Sequence, residues 1–583
     1  MTTSLVSADS LLAIDVGTTT TRAMLFDVVD GRYRFLASGS AVSTAGAPFH
    51  DIGEGVRRAL DQLQEISGRL LLRDDESLIM PSATDGSGVD ALAATISIGQ
   101  PLKVVAVGLL EDVSLESACR LASTTYAEVV ETLSLNDRRK QDTRIDLILR
   151  ARPDLVIAAG GTEGGADQSI NRLMETVGLA CRLLPEAQRP QVLFAGNKAV
   201  QKNVHSLLGD VTQLHYAPNI RPTLELEQLE AAQIKLAQIY RQIGTKKTAG
   251  IQELNHWSDG RLLPTVSAFG RMIRFLSRLY DPAKGVLGID VGASASAVAA
   301  GFAGSLATGV YPDFGLGSGL PGILKHTRLK NISRWLSIDL SEDDLSNYIY
   351  YKAAYPASVP STVEELALEQ AILREVIRLS IRKTMAGFPE SVAGPGNGLT
   401  PWFEPILVRG MAFVQAPTPG HSLMTLLDGL QPTGVTTVLL DQSSLAAALG
   451  AAAEVNPTLV VQVLESNMQN LAAVISPVGE ARPGTPILRV QATFADGNET
   501  RLEVKYGNIE VIPVPFGQTV NLRLQPLHRF DIGMGGPGRG GRLRMVGGVL
   551  GLVIDARGRP ITLHPDAARQ RELFGKWLWK LGN

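Results

Sequence analysis

Residues 11–27 read LLAIDVGTTTTRAMLFD, in which two apolar runs flank a polar turn. Both runs have the composition of strands, so the residues between them are predicted to form a tight turn between neighbouring strands. Glycine lets a ligand approach the backbone closely, threonines offer hydroxyl and amide donors, and an aspartate at a strand end can hold a hydrated cation against phosphates. The stretch therefore predicts a phosphate loop, with a plain hairpin turn as the alternative. The candidate ligand residues are Asp15, Gly17, Thr18, Thr19, Thr20 and Arg22.

A second copy of this pattern begins at residue 286. Residues 286–300 read VLGIDVGASASAVAA and repeat Ile-Asp-Val-Gly after an apolar run. Two loops of one pattern in one chain predict a duplicated fold with two similar domains. Asp290, Gly292 and Ser294 are the candidate ligand residues of this second loop.

The two loops resemble those of the superfamily that contains acetate and sugar kinases, heat-shock chaperones and actin. Residues 264–268, reading PTVSA, open an apolar segment that is similar to the helix crossing between the two domains in the chaperones. The resemblance implies that ATP or ADP binds with Mg²⁺ between the domains. It further implies that Asp15 and Asp290 are metal ligands and catalytic residues, and that Gly410 belongs to the segment that closes over adenosine.

The chain also departs from the chaperone pattern. Ala293 and Ala295 replace a glycine and a hydroxyl residue in the second loop, and the last acid of that loop is missing. Leu263 stands where the chaperones have a glutamate that positions water, and residues 407–411, reading LVRGM, replace a double glycine. The sequence thus favours nucleotide binding without fast hydrolysis.

Asp85 is the best candidate for the carboxylate that would orient an attacking water. It lies in residues 82–90, reading SATDGSGVD, after a predicted strand over residues 77–81. The alternative interpretation is a surface turn that precedes a flexible linker reaching Pro101.

Residues 103–195 alternate between predicted strands and helices, which indicates a small parallel α/β unit. The predicted strands are 104–108, 155–159 and 192–195, and the helices are 115–132, 146–150 and one from 168 onward. Four segments in this region and just after it resemble one family, the MutL-like protein associated with glutamate mutase, which is distinct from the mismatch-repair protein of the same name. They read KVVAVGLLEDVSLESACRLA, RPDLVIAAGGTEGGADQSI, QVLFAGNKAV and APNIRPTLELEQLEAA. The resemblance covers roughly residues 10 to 455 and implies an ATP-binding reactivating or assembly factor for adenosylcobalamin-dependent mutases.

The predicted fold class is α/β, with two actin-like ATPase domains, an inserted parallel α/β unit and a C-terminal β-rich domain. The predicted first domain comprises residues 1–100 and 250–285, and the insertion comprises residues 101–249. The second domain covers residues 286–455. The β-rich domain, residues 456–583, begins with a predicted strand at 459–463 and continues with hairpins of a small barrel or sandwich. Residues 245–260 are predicted to form a loop.

Composition excludes several partner classes. A formal net charge of −3 gives no basic field for nucleic acid or for anionic lipid. No apolar stretch is long and uninterrupted enough to suggest a membrane span, and the first residues lack a basic start, so a cytoplasmic protein is predicted. The two cysteines, Cys119 and Cys181, are too few for a disulfide framework.

The functional hypothesis is an ATP-binding accessory protein that acts on an adenosylcobalamin-dependent mutase. A slow Mg²⁺-dependent ATPase activity is left open. The alternatives are a small-molecule kinase of the sugar or acetate type and a non-hydrolysing actin-like scaffold. A homodimer is the alternative use of the insertion and the β-rich tail.

Overall fold

The computed structural model describes residues 9–98, 100–165 and 167–582. These residues form 22 strands and 16 α-helices, together with a few short 3₁₀ and π turns. The strands are β1 (Leu11–Val16), β2 (Thr20–Val29), β3 (Arg32–Val42), β4 (Ala91–Ile96), β5 (Leu102–Val107), β6 (Ala127–Leu133), β7 (Leu155–Ala158), β8 (Gln191–Phe194), β9 (Leu214–Tyr216), β10 (Leu263–Pro264), β11 (Gly285–Val291), β12 (Ser296–Phe302), β13 (Ser305–Tyr311), β14 (Phe403–Arg409), β15 (Gly434–Leu440), β16 (Gln469–Ser476), β17 (Pro486–Phe494), β18 (Glu499–Lys505), β19 (Ile509–Ile512), β20 (Thr519–Pro526), β21 (Gly541–Val546) and β22 (Leu552–Asp555).

The helices connect these strands and cover their sheets. They are α1 (Gly53–Ser67), α2 (Glu116–Ala122), α3 (Gln141–Ala151), α4 (Asp167–Leu183), α5 (Gln201–Leu208), α6 (Glu230–Lys247), α7 (Ile251–Trp257), α8 (Thr265–Leu279), α9 (Leu329–Ser333), α10 (Glu342–Ala354), α11 (Val363–Met385), α12 (Met411–Val414), α13 (Pro419–Leu430), α14 (Leu445–Ala452), α15 (Pro457–Asn467) and α16 (Ala567–Lys580). None of the helices among the described residues is long and apolar enough to cross a membrane.

Two of the sheets have the same topology. The first runs in the order β10-β4-β1-β2-β3, and the second begins in the matching order β13-β12-β11-β14-β15 when read from its other edge. In both, the first three strands are antiparallel neighbours, and the next strand pairs with the first in parallel. This repeat of strand order and direction confirms the prediction of two actin-like domains.

The predicted insertion is a separate parallel sheet in the order β6-β5-β7-β8-β9. Every pair of neighbours in this sheet is parallel. Its central strands β5, β7 and β8 are almost fully buried, as is usual for a parallel sheet that is covered on both faces. One face packs into a cluster of its own, and the other face joins the core of the first actin-like domain. The prediction of a parallel α/β unit is confirmed.

The C-terminal part of the chain is divided between two sheets. Strands β18, β17, β20 and β21 form a four-stranded antiparallel sheet, as the predicted hairpins require. Strands β16, β22 and β19 instead extend the sheet of the second actin-like domain. The domain limits stay predictions, but hydrogen bonding in this sheet continues beyond the predicted boundary at residue 455.

Several local predictions are wrong. The predicted helix over residues 115–132 ends after α2, and its second half is β6, because pairing with β5 overrides the apolar helical spacing. The predicted strand over residues 459–463 is part of α15, which Asn456 caps by accepting from the Leu459 amide at 3.0 Å. The predicted loop over residues 245–260 contains the end of α6 and all of α7.

The region around Asp85 also differs from the prediction. Residues 77–81 form only an isolated bridge between Leu72 and Leu78. The residues that were predicted to be a flexible linker contain β4, which lies between β1 and β10 in the first sheet. Strand β4 is rich in alanine, which has a low β propensity. Its residues therefore form a strand because they pair with β1 and β10 on either side.

Candidate nucleotide site

The two glycine loops make the same turn. The Gly17 amide donates to the Thr20 carbonyl at 3.0 Å, and the Gly292 amide donates to the Ala295 carbonyl at 3.1 Å. At Gly17 the turn leaves little space for a side chain, because a Cβ would lie 2.9 Å from the Thr20 carbonyl oxygen. The duplication is therefore present in individual hydrogen bonds as well as in strand order.

Asp15 is held by hydroxyl groups from two neighbouring elements. Its Oδ1 accepts from Thr95 Oγ1 at 2.7 Å and from Thr265 Oγ1 at 3.1 Å. Thr95 lies opposite Asp15 in the pairing of β1 with β4, and Thr265 is the first residue of α8. Because the carboxylate is buried and fixed on both sides, its orientation is set by the fold.

Arg409 joins the two domains through their loop aspartates. Its guanidinium donates to Asp290 Oδ2 at 3.0 Å through Nη1 and to Asp15 Oδ2 through Nη2. Arg409 lies opposite Asp290 in the pairing of β11 with β14, as Thr95 lies opposite Asp15 in the first sheet. The equivalent position in each domain thus carries a donor to that domain's own aspartate. Only the arginine is long enough to reach the other domain as well.

Burial governs the charges around this bridge. Burial alone would lower the pKa of Arg409. The negative charges of Asp290 and Asp15 have a larger effect and raise this pKa, so the guanidinium stays charged. Burial raises the pKa of Asp290 and of Asp441, and it lowers the pKa of Arg22. Asp441 accepts from the amides of Leu445 and Ala446 at 2.7 and 2.8 Å, respectively, at the start of α14. These groups therefore lie in an environment of low dielectric constant, where ionic contacts are strong.

A cavity of about 180 Å³ lies between the two loops. Pro356, Ala357 and Val359 supply an apolar part of its wall, and the neighbouring Ser358 Oγ is buried without a hydrogen-bond partner among the described residues. At Gly410 the backbone has a φ of 130°, and a Cβ there would lie 2.4 Å from the Val291 carbonyl oxygen. Only glycine fits this position beside the second loop.

An adjoining cavity of about 250 Å³ shares Val359, Glu369, Ala412 and Gln415 with the first. Ligand pockets in proteins hold roughly 300–1,000 Å³, so the first cavity is smaller than this range and the two together reach it. One end has the glycine loops and the other has apolar side chains and a hydroxyl without a partner. This combination fits the phosphate and nucleoside parts of a nucleotide.

The residues do not fit a preformed Mg²⁺ site. Magnesium requires oxygen ligands in near-octahedral geometry at about 2.0–2.1 Å, whereas Asp15 and Asp290 both accept from the Arg409 guanidinium. Within residues 9–98, 100–165 and 167–582, no group of three or more His, Cys, Asp or Glu could hold a metal ion. The metal role of the two aspartates stays a prediction that this arrangement does not support.

The structure brings all but one of the sequence-predicted site residues together. The predicted site residues that line the cavity are Asp15, Gly17, Thr18, Thr19, Thr20, Arg22, Asp290, Gly292, Ser294 and Gly410. Asp85 is exposed, is not part of the cavity wall, and accepts from the amide and hydroxyl of its neighbour Ser87 at 2.9 and 2.7 Å, respectively. These hydrogen bonds lower the pKa of Asp85, as is expected for a surface turn. Its catalytic role stays a prediction without support from its position.

Several polar residues of the site were not predicted. Thr95, Thr265 and Arg409 surround the aspartates, and Lys352 forms an ion pair of 2.7 Å with Glu369 in the cavity wall. One feature of the sequence could have indicated Arg409 as a site residue. It is a charged residue at the end of the buried strand β14, directly before a glycine. The threonines carry no comparable signal, because hydroxyl residues are common at strand ends.

The comparisons with known proteins identify a family. A sequence model of the family described as MutL protein matches residues 11–468. A comparison with curated protein sequences gives no match.

Solved structures are similar only at low scores. A nucleotide-free acetone carboxylase is 13% identical, with 88% of this chain and 82% of that chain covered and a TM-score of 0.29. A nucleotide-free diol dehydratase-reactivating factor is 10% identical over 76% of this chain and 99% of that chain, with a TM-score of 0.29. Component A of (R)-2-hydroxyglutaryl-CoA dehydratase from Acidaminococcus fermentans is 9% identical over 76% of this chain and 96% of that chain, with a TM-score of 0.25.

Proposed function

Because this chain belongs to the MutL protein family, we propose that it binds ATP and ADP between its two actin-like domains and acts as an accessory protein of an adenosylcobalamin-dependent mutase. The observation that carries the nucleotide part is the pair of matching glycine turns that face one cavity from the two domains. A phosphate that contacts both turns links the domains. Its loss on cleavage or release would then change how the domains sit against each other, a common basis for nucleotide-driven movement.

We expect Asp15→Ala to weaken the binding of ATP and ADP at least tenfold. The variant removes the acceptor of Thr95, Thr265 and Arg409, so the first loop loses the group that positions it. Calorimetric titration of the intact protein measures the affinity. Asp75→Ala is the matched control, since Asp75 is an exposed aspartate that accepts from Ser77 in a turn of the same kind as that of Asp85. Equal binding by the Asp15 variant and the control, or no binding by the unmodified protein, would contradict the proposal.

Nucleotide cleavage is proposed to be slow. The carboxylates in the cavity wall are Asp15, Asp290 and Glu369, and each is already paired with Arg409 or Lys352. None of them is free to orient a water, which general-base assistance requires. A single-turnover measurement of ATP cleavage separates a slow ATPase from a non-hydrolysing scaffold. A screen of sugars and carboxylates for ATP-dependent phosphorylation tests the kinase alternative.

The mutase partner is proposed from the family alone. A pull-down from native extract with ATP and, in parallel, with ADP is expected to recover a cobalamin-dependent mutase in one nucleotide state more than in the other. The Asp15→Ala variant serves as the control, because it should recover the same amount in both states. Recovery of only the protein's own subunits in both states would favour the homodimer and contradict the proposal.

A further inference from the structure

A separate cavity of about 590 Å³ lies beside the first phosphate loop, and we call it the lateral cavity. Its wall includes Thr18 of the loop, Ile98 beyond β4, Tyr240 and Gly244 of α6, and Ser318 from the second actin-like domain. Thr18 also belongs to the wall of the cavity between the two loops. A molecule in the lateral cavity would therefore be separated from a ligand of the phosphate loop by a single residue.

The wall of the lateral cavity combines apolar and basic side chains. Its isoleucine and leucine residues are Ile96, Ile98, Leu102, Ile251 and Leu262. Its charged or titratable side chains, apart from the Tyr240 hydroxyl, are those of His50, Arg241 and Lys247, and no Asp or Glu occurs among the described residues of the wall. Lys247 is neutralised by an ion pair of 2.6 Å with Asp154.

Arg241 is the cation of this wall whose hydrogen bonds go only to neutral acceptors. Its guanidinium donates to the backbone carbonyls of Gly260 and Leu262, which are neutral acceptors, and it forms no ion pair within the described part of the chain. Burial lowers the pKa of Arg241, and the negative charge of Glu454, which lies beyond ion-pair distance, offsets this effect only in part. The lowered pKa reflects the cost of holding this charge beside apolar surface. An anion in the cavity would relieve that cost, since hydrogen bonds between ionised partners are among the strongest in proteins.

We propose that the lateral cavity binds a small carboxylic acid with an apolar body. The carboxylate lies against Arg241, and the apolar body lies among the isoleucine and leucine side chains. The volume is in the range of known ligand pockets, and a few polar groups in a mostly apolar wall are typical of such sites. The proposal concerns binding only and holds in the absence of nucleotide, so it does not depend on the function proposed above.

Hexanoate is the probe, with hexanol as its neutral match and hexylamine as its match of opposite charge. Calorimetry and ligand-observed NMR on the intact protein without nucleotide are expected to show saturable binding of hexanoate, at least tenfold tighter than either match. Arg241→Met should weaken hexanoate binding at least tenfold and leave hexanol unchanged, because it removes the charge and keeps the length of the side chain. Equal affinities for the three probes, or no saturable binding of hexanoate, would overturn the proposal.

Gly244→Leu tests the location of the binding. A Cβ at Gly244 meets only Ile251 Cδ1 at 3.8 Å, so a leucine can enter the cavity without a backbone clash, and the helix tolerates it. This variant is expected to reduce hexanoate binding more than tenfold. Gly575→Leu is the matched control, since Gly575 is an exposed glycine of α16 with no atom within 4 Å of an added Cβ. Unchanged binding by the Gly244 variant would place the probe elsewhere and overturn the proposal.

Discussion

Arg409→Met is expected to weaken the contact between the two actin-like domains by roughly 3–5 kcal/mol, the usual cost of breaking a buried ion pair. The variant leaves the carboxylates of Asp15 and Asp290 facing each other across the domain boundary without the cation that joins them. Their repulsion is strong because Asp15 is buried and the side chain of Asp290 is mostly shielded from solvent. The first thermal unfolding transition should move down by several degrees. Small-angle X-ray scattering should show a larger radius of gyration as the cleft opens.

Two further variants distinguish this bridge from an ordinary surface contact. Arg489→Met breaks an exposed pair with Glu503 and should change stability by no more than about 1 kcal/mol. Replacing Asp15 and Asp290 with Asn in the Arg409→Met background removes the repulsion and should restore most of the lost stability. Equal losses for Arg409→Met and Arg489→Met would contradict a role of the bridge in holding the domains together.

The defect of Arg409→Met should also depend on pH and on Mg²⁺. Burial raises the pKa of Asp290 in the folded protein and the charge of Arg409 opposes this rise, so the pKa of Asp290 should be higher still in the variant. A carboxylate whose folded pKa is raised loses folded-state stability as the pH rises through that pKa. The stability difference between Arg409→Met and the unmodified protein should therefore be larger at neutral than at mildly acidic pH.

Mg²⁺ should raise the melting temperature of the Arg409→Met variant, whose carboxylates no longer pair with an arginine, more than that of the unmodified protein. Equal stabilisation of both by Mg²⁺ would show that Arg409 does not compete for this site.

The phosphate loops could be predicted from the sequence because their signal is local. A strand end, an aspartate and a glycine two residues later are sufficient to identify each loop, and the repeat of Ile-Asp-Val-Gly identifies the duplication. The bridge by Arg409 could not be predicted in this way. It depends on the register of β14 against β11 and on the distance between two domains, and neither is encoded in a short stretch of sequence.

The errors in secondary structure have the same origin. Residues 459–463, reading LVVQV, have a high β propensity, but Asn456 and Pro457 start a helix before them. Strand β19 lies in the region that was predicted to form hairpins, yet it pairs with β22 in another sheet rather than with its neighbours in the hairpins. Local propensity therefore predicted most elements, while the choice of partner strand required the three-dimensional structure.

The second large effect is expected where the C-terminal part of the chain is attached to the second actin-like domain. Asp428 of α13 accepts from Arg374 of α11 at 2.7 Å and from Arg557 at 2.6 Å. The guanidinium of Arg557 also donates two hydrogen bonds to Asp555, at 2.8 and 2.9 Å. All four side chains are buried. Burial tends to raise the pKa of Asp555, but its ion pairs with Arg557 and Arg559 outweigh this effect and hold the pKa well below its usual value. Asp555 and Arg557 are therefore both ionised at neutral pH.

Asp428→Ala is expected to destabilise this attachment by about 3–5 kcal/mol, because it leaves two buried guanidinium groups short of an acceptor. Asp428→Asn keeps the shape and one acceptor oxygen, so its loss should be smaller. Hydrogen exchange of β22 and α16 measures the effect locally, and both elements should exchange faster in the alanine variant. Asp339→Ala is the control, since Asp339 is mostly exposed and pairs with Arg571 at 3.1 Å. If the control accelerated exchange as much as Asp428→Ala, the network would contribute no more than a surface ion pair.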